Sequence, residues 1–258
     1  DTSGLTYGSF GNTPVDQAYR AANVLGQPTL NDFISKLSEI PLLYQPGTRW
    51  NYSVSVDVLG RFVEIISGNP LDVFLEERIF EPLGMKDTGF SVPASETSRR
   101  ARSYGRSGGA PLAVSDAYGC MRPGGFPSGG GGLASTADDY SRFAQMLLNG
   151  GELDGARILG RKTIELMTAD HLGDAQYGSR ASGWGWGLGF NVKTAAGLDG
   201  MPGSVGNYYW WGVRGTSFWI DPTEDLIGVF MVQISGRDIP FRNQFKRLVY
   251  QAIVDEPR

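Results

Sequence analysis

One cysteine and one histidine stand in 258 residues, and each scarcity removes a class of chemistry. Cys120 alone cannot form an internal disulfide, so packing must hold the fold, and a buried structural thiol is the expectation for it. His171 alone rules out histidine-rich zinc sites and leaves a single candidate for a Ser-His-Asp base. It lies in Met167-Thr168-Ala169-Asp170-His171-Leu172, at the end of an expected helix, where a cationic or polar residue is structurally ordinary. No apolar run reaches the roughly 18 to 20 residues that a membrane-spanning helix needs. The start Asp1-Thr2-Ser3-Gly4 has no signal-peptide character, and a cytoplasmic location is the expectation. The 23 basic residues form no run and the net charge is −4, which argues against nucleic acid or an anionic membrane as a partner. A small, weakly charged substrate fits better, and neither a metal nor a cofactor is expected.

What is present is a core: 41% of the residues are hydrophobic and 19% charged. Residues 14 to 39 predict two short helices split by Gly26-Gln27-Pro28, the second capped by Thr29 or Asn31. Val58, Leu59, Phe62, Val63 and Ile66 fall at helical spacing up to Gly68, which puts Tyr52 just ahead of a helix. Pro70 opens another helix, with Leu71, Phe74, Leu75 and Ile79 on one face before the turn at 81–84. Residues 91 to 132 show no period and predict a long functional loop. Thr136 and Asp139 have capping-box spacing ahead of an amphipathic helix to Gly150-Gly151, and one more helix is expected near 160–170. From 184 the period changes. Strands are expected over 184–193, 207–212, 216–220 and 226–234, then a helix over 241–254. Helices followed by consecutive antiparallel strands make an α+β architecture.

Gly105-Arg106-Ser107-Gly108-Gly109 fits the G-x-S-x-G elbow of α/β-hydrolases, but that elbow needs an apolar strand before the serine and a helix after it. Arginines precede this serine and Gly-Ala-Pro follows, so Ser107 reads as a loop serine.

Pro46-Gly47-Thr48-Arg49-Trp50-Asn51-Tyr52-Ser53 resembles the P-G-x-x-x-x-Y box of class C β-lactamases and their esterase relatives. By that resemblance Tyr52 is catalytic. The β-lactamase box continues Y-x-N, whereas Val54 stands here, which favours an esterase. Trp210-Trp211-Gly212-Val213 resembles the W-x-G form of the strand triplet that is K-T-G or H-x-G in other members. Gly212 lets backbone approach the ligand, and the Val213 N–H then stands as an oxyanion donor. Trp210 in place of lysine removes the cation that would meet a β-lactam carboxylate, and Arg214 compensates in part. Thr2-Ser3-Gly4-Leu5-Thr6-Tyr7 is similar to the TSGL segment of these proteins, which places Tyr7 on the acyl pocket. The order of matches through Val229-Phe230-Met231 is that of family VIII carboxylesterases.

The resemblance implies a β-lactamase/transpeptidase-like fold, incomplete in this chain, with residues 1–204 a mainly helical subdomain and 205–258 the closing strands and helix of the α/β subdomain. It implies a serine carboxylesterase acting on small or short-chain acyl esters through an acyl-enzyme. A β-lactamase, a D-amino-acid peptidase, an acyltransferase and a non-catalytic binding protein remain the alternatives. The family's nucleophile sits in S-x-x-K, and no lysine of this chain has a serine three residues before it. A two-chain or nicked form, a fragment, or a truncated binding protein would each explain this. The expectation is a second polypeptide that carries the S-x-x-K segment.

Overall fold

The computed structural model describes residues 1–105, 113–115, 125–173, 183–235 and 240–254. Its first two helices are α1 (Pro14–Ala21) and α2 (Leu30–Ser38). Thr13 and Asp16 form a reciprocal capping box on α1, and Thr29 rather than Asn31 caps α2 by accepting the Asp32 N–H. Each cap satisfies an orphan helical donor and contributes about 1 kcal/mol. Tyr19, Val24, Leu30, Phe33 and Leu37 from this region pack with Val54 and Leu71 into one core.

Helix α3 (Ser55–Ser67) begins three residues after Tyr52 and stops at Gly68, as its spacing predicts. The next segment departs from expectation. Helix α4 (Leu71–Leu75) widens into a π-helical turn over Glu76–Phe80 before α5 (Glu81–Leu83). Pro82 has no N–H and its ring crowds the carbonyl four residues back. The wider turn, in which the Glu81 N–H reaches Glu76 O, makes room for it.

The expected loop over 91–132 is partly regular. It holds a 3₁₀ turn (Ala94–Arg99) and the short antiparallel strands β1 (Ser103–Gly105) and β2 (Ala113–Ser115). Three-residue strands are too short to show alternation, which is why they left no period to read. Ser107 and Cys120 lie outside the described residues.

Helix α6 (Ala137–Leu148) carries half of its expected capping box: Thr136 accepts the Asp139 N–H at 3.2 Å. The Asp139 carboxylate instead takes the Asp87 N–H at 2.7 Å and the Thr88 hydroxyl at 2.8 Å, which ties α6 to the chain after α5. A hairpin of β3 (Glu152–Leu153) and β4 (Ala156–Arg157) leads to α7 (Arg161–Met167).

Five antiparallel strands in sequential order make the main sheet: β5 (Trp184–Trp186), β6 (Asn191–Lys193), β7 (Tyr208–Trp211), β8 (Ser217–Asp221) and β9 (Leu226–Phe230). The strand expected over 184–193 is therefore a hairpin that turns at Gly187 to Phe190. The one expected over 226–234 stops at Phe230, and β10 (Ile234–Ser235) leaves to run parallel to β1.

Alternation along β8 sorts its side chains between two faces. Phe218 and Ile220 join Tyr208 and the α6 residues Ala144, Met146 and Leu147 in the largest core. Trp219 meets Phe245 and Tyr250 of α8 (Pro240–Gln251) on the opposite face. That second face is partly polar: Lys193 and Asp199 form a buried ion pair at 3.3 Å, and Tyr250 donates to Asp221 at 2.6 Å. A cavity of about 280 Å³ opens there between the sheet and α8, lined among others by Trp184, Tyr209, Trp211, Arg242 and Lys246.

Candidate active site

The first eight residues reach the site because they are laced to the chain ahead of α3. Gly4 O accepts from Leu43 N–H at 2.8 Å, Thr2 O from Gly47 N–H at 2.7 Å, and Asp1 O from Asn51 N–H at 2.8 Å. The Asn51 side-chain amide donates to Leu5 O at 2.7 Å. A hydroxyl chain, Ser3 to Ser55 at 2.7 Å and Ser55 to Ser53 at 2.6 Å, closes the join at the start of α3. Two segments that lie some forty residues apart thus behave as one unit, and Tyr7 is held beside Tyr52 with ring centroids 4.9 Å apart.

Around Tyr52 the aromatic contacts continue. Trp50 stacks on it at 6.2 Å, Phe10 lies at 5.7 Å, and Trp210 of β7 comes within 5.6 Å. Trp186 then bridges Trp50 at 5.0 Å and Trp210 at 4.7 Å, both edge to face. Pairs of this geometry contribute about 0.5–1.5 kcal/mol each beyond area burial. They fix the sheet against the loop that carries Tyr52. The sequence-predicted residues Tyr7, Tyr52 and Trp210 are therefore in one cluster.

Gly212 and Val213 follow at the end of β7, where the chain turns. Gly212 N–H donates to Thr216 O at 2.8 Å and Gly215 N–H to Gly212 O at 3.0 Å. A Cβ at Gly212 would collide with Thr216 Oγ1, so the turn needs glycine for close approach as well as any ligand does. Val213 is 59% exposed at the tip, and among the described residues nothing accepts its N–H. Arg214 anchors the turn to the small sheet, through its Nη1 to Ser103 Oγ at 3.4 Å and its carbonyl to the Ile234 N–H at 2.8 Å.

Asp57 is a residue that sequence reasoning missed. It is fully buried in the first turn of α3, and its Oδ1 accepts from the Ser128 hydroxyl and, at 3.2 Å, from the Gly130 N–H. Burial pushes its carboxyl above the usual carboxylate range, against the opposing pull of those two donors. A Cβ on Gly130 would stand 2.6 Å from Tyr7 Oη and 2.8 Å from Asp57 Oδ2. The glycine-rich loop can therefore close over Tyr7 only as glycine. The available signal was an acidic residue five positions after Tyr52 within an apolar helix pattern. Phe10, Trp50 and Trp186 were also missed as neighbours of Tyr52.

The His171 side chain bonds away from this cluster, which the residue meets through its backbone N–H. Its Nε2 donates to Leu166 O at 2.6 Å and its backbone N–H to Trp186 O at 2.9 Å, so the ring closes the end of α7.

The Beta-lactamase family profile matches residues 2–251. Protein Rv1367c of Mycobacterium tuberculosis is 38% identical over 244 residues, which cover 90% of this chain and 60% of that protein. Esterase EstB of Burkholderia gladioli is 31% identical over 212 residues, covering 74% of this chain and 51% of its own. Among solved structures, EstCE1, described as a hydrolase with promiscuous acyltransferase activity, superposes with a TM-score of 0.80 at 26% identity. That superposition covers 96% of this chain and 69% of EstCE1. The chain thus spans about three fifths of the length of its mycobacterial relative. With nearly every residue inside the match and the helix and sheet order shared with solved hydrolases, the chain belongs to the Beta-lactamase family and has its α+β, β-lactamase/transpeptidase-like fold.

Proposed function

We propose that this chain is the larger part of a serine carboxylesterase that hydrolyses small or short-chain acyl esters through an acyl-enzyme. The observation that carries the reading is the contact of the Tyr52 ring with Trp210 of β7, three residues before Val213, which is 59% exposed and whose N–H meets no acceptor among the described residues. A phenol and a backbone donor are parts that acyl transfer needs beside a nucleophile. Tyr7, Trp210 and Gly212 form the wall for the acyl group, and it is apolar, which suits an uncharged acid. The identity to EstB supports an ester as substrate.

The nucleophile comes from a second polypeptide or segment that carries S-x-x-K. Its serine attacks the ester carbonyl, and Tyr52 with the accompanying lysine takes the proton. A phenol with a reference pKa near 10 is a poor base at neutral pH, and an adjacent ammonium favours its ionised form. The Val213 N–H and the nucleophile's own N–H hold the oxyanion, and water then releases the acid. In this reading residues 1–204 form the mainly helical subdomain, although their strands β5 and β6 lie in one sheet with β7–β9, and 205–258 close the α/β subdomain. Among the described residues no further strand pairs with the outer edge of β9, and an uncovered edge is what a completing segment would protect.

An acyltransferase of the same fold is the second reading, favoured by the likeness to EstCE1. Turnover of p-nitrophenyl butyrate, with and without an added alcohol, separates the two. The chain by itself is expected to be inactive. Tyr52→Phe in the complete protein should cut kcat by about 10²–10⁴-fold with little change in KM. Turnover by the chain alone that survives Tyr52→Phe overturns the assignment.

A further inference from the structure

Two basic side chains line the cavity between the main sheet and α8 without a carboxylate bonded to either. Arg242 and Lys246 stand one turn apart on the face of α8 that looks onto the sheet. The Arg242 guanidinium is half-buried over the Trp211 ring, 4.7 Å from its centroid; burial lowers its pKa, and no carboxylate among the described residues offsets that. Lys246 is 8% exposed, and its Nζ lies 5.3 to 5.8 Å from the ring centroids of Trp184, Tyr209, Trp219 and Tyr250. Its hydrogen bond goes to a neutral acceptor, Asn207 Oδ1, at 3.3 Å. The neighbouring carboxylates are engaged elsewhere. Asp199 pairs with Lys193 at 3.3 Å, and Asp221 accepts from the Tyr250 hydroxyl at 2.6 Å and the Ser204 N–H at 2.8 Å. Burying a cation is costly unless it is paired, so two at one cavity point to an anion supplied from outside the chain.

We propose that this cavity binds a small arylalkyl carboxylate, its ring against Trp184 and Tyr209 and its carboxylate at Arg242 and Lys246. The wall is built for a ring. Trp184 and Tyr209 meet edge to face at 4.8 Å, and Tyr209 stacks with Trp211 at 5.5 Å, so three rings run in a row from β5 to β7. Asp199 accepts the Trp184 indole N–H at 2.9 Å, which fixes that ring's orientation. A guanidinium stacked on an indole still presents its edge N–H groups in one plane, the geometry that forks a carboxylate. A bare inorganic anion would meet the same cations and leave the aromatic wall unfilled. At about 280 Å³ the cavity falls just under the roughly 300–1,000 Å³ of sites for drug-sized ligands, which suits one ring with a short acid arm. The site does not depend on the esterase reading, because none of its groups takes part in that chemistry.

The test titrates phenylacetate into the complete protein, with every polypeptide that accompanies it, by isothermal calorimetry at neutral pH. The expected result is one site with a Kd below about 1 mM. Arg242→Gln and Lys246→Met should each weaken binding by about tenfold or more, and so should replacing the ligand by its neutral isostere phenylacetamide. Arg247→Gln, exposed on the same helix and not part of the cavity lining, should stay within about twofold of wild type. No heat of binding in the complete protein overturns the proposal, since another part of that protein then fills the cavity. Inorganic phosphate or phenylacetamide binding as tightly as phenylacetate overturns it as well. So does an affinity that survives both Arg242→Gln and Lys246→Met, because the ligand then sits elsewhere, the acyl wall at Tyr7 and Trp210 included. The titration reads no turnover, so its failure and the failure of the esterase reading are told apart by assaying p-nitrophenyl butyrate on the same samples.

Discussion

Removing the carboxyl of Asp57 should loosen the loop that closes over Tyr7. Asp57→Ala leaves the Ser128 hydroxyl and the Gly130 N–H without their acceptor in a buried place. Each buried polar group deprived of its partner costs about 1–3 kcal/mol, so the expected loss is about 2–5 kcal/mol. Asp57→Asn keeps an acceptor oxygen for both donors and should cost far less at neutral pH. The pH dependence follows from the direction of the shift. The folded-state pKa of Asp57 is raised above its unfolded value, because burial penalises the charged form. The folded protein therefore holds the proton more tightly than the unfolded chain does. The resulting stability is fully present below the unfolded carboxylate pKa and is lost as pH rises through the folded one. Urea denaturation of wild type, Asp57→Ala and Asp57→Asn between pH 4 and pH 8 reads all of this. The stability of Asp57→Asn relative to wild type should climb with pH across that window. Loss of less than about 0.5 kcal/mol in Asp57→Ala, or a wild-type to Asn difference that does not move with pH, refutes the argument.

Two further outcomes test other parts of the structure. Val213→Pro removes the backbone donor and should lower kcat of the complete enzyme by about 10²–10³-fold, while Val213→Ala, which keeps the N–H, should act as wild type; equal behaviour of the two on p-nitrophenyl butyrate would remove Val213 from the oxyanion site. Lys246, buried against α8's face of the sheet and near Lys193, has its pKa lowered to about 8. The unfolded chain therefore binds more protons between about pH 8 and pH 10.4, and wild type should gain stability relative to Lys246→Met as pH rises through that range, read by denaturation midpoints.

Much of the helix and strand order was legible because short-range rules decided it. Thr29 stands where an N-cap is needed, Gly68 ends α3, and the alternation in Phe218-Trp219-Ile220 marks a strand. Where neighbours in space decided, the reading failed. Nothing local tells that Trp184 to Lys193 folds back on itself, that Ile234-Ser235 leaves β9 for a strand 130 residues earlier, or that Asp139 spends its carboxylate on Thr88.

The sequence by itself determined which residue types were candidates for the chemistry: a tyrosine six positions after a proline, a glycine followed by a valine, and no serine three before a lysine. Tertiary structure decided which of them meet, since Tyr7, Tyr52 and Trp210 are far apart along the chain and converge only through backbone bonds and ring contacts. It also decided the meaning of α3. Its pattern says helix with apolar residues on many sides, but burial is a property of neighbours, and only the packed chain shows which of its two faces is covered.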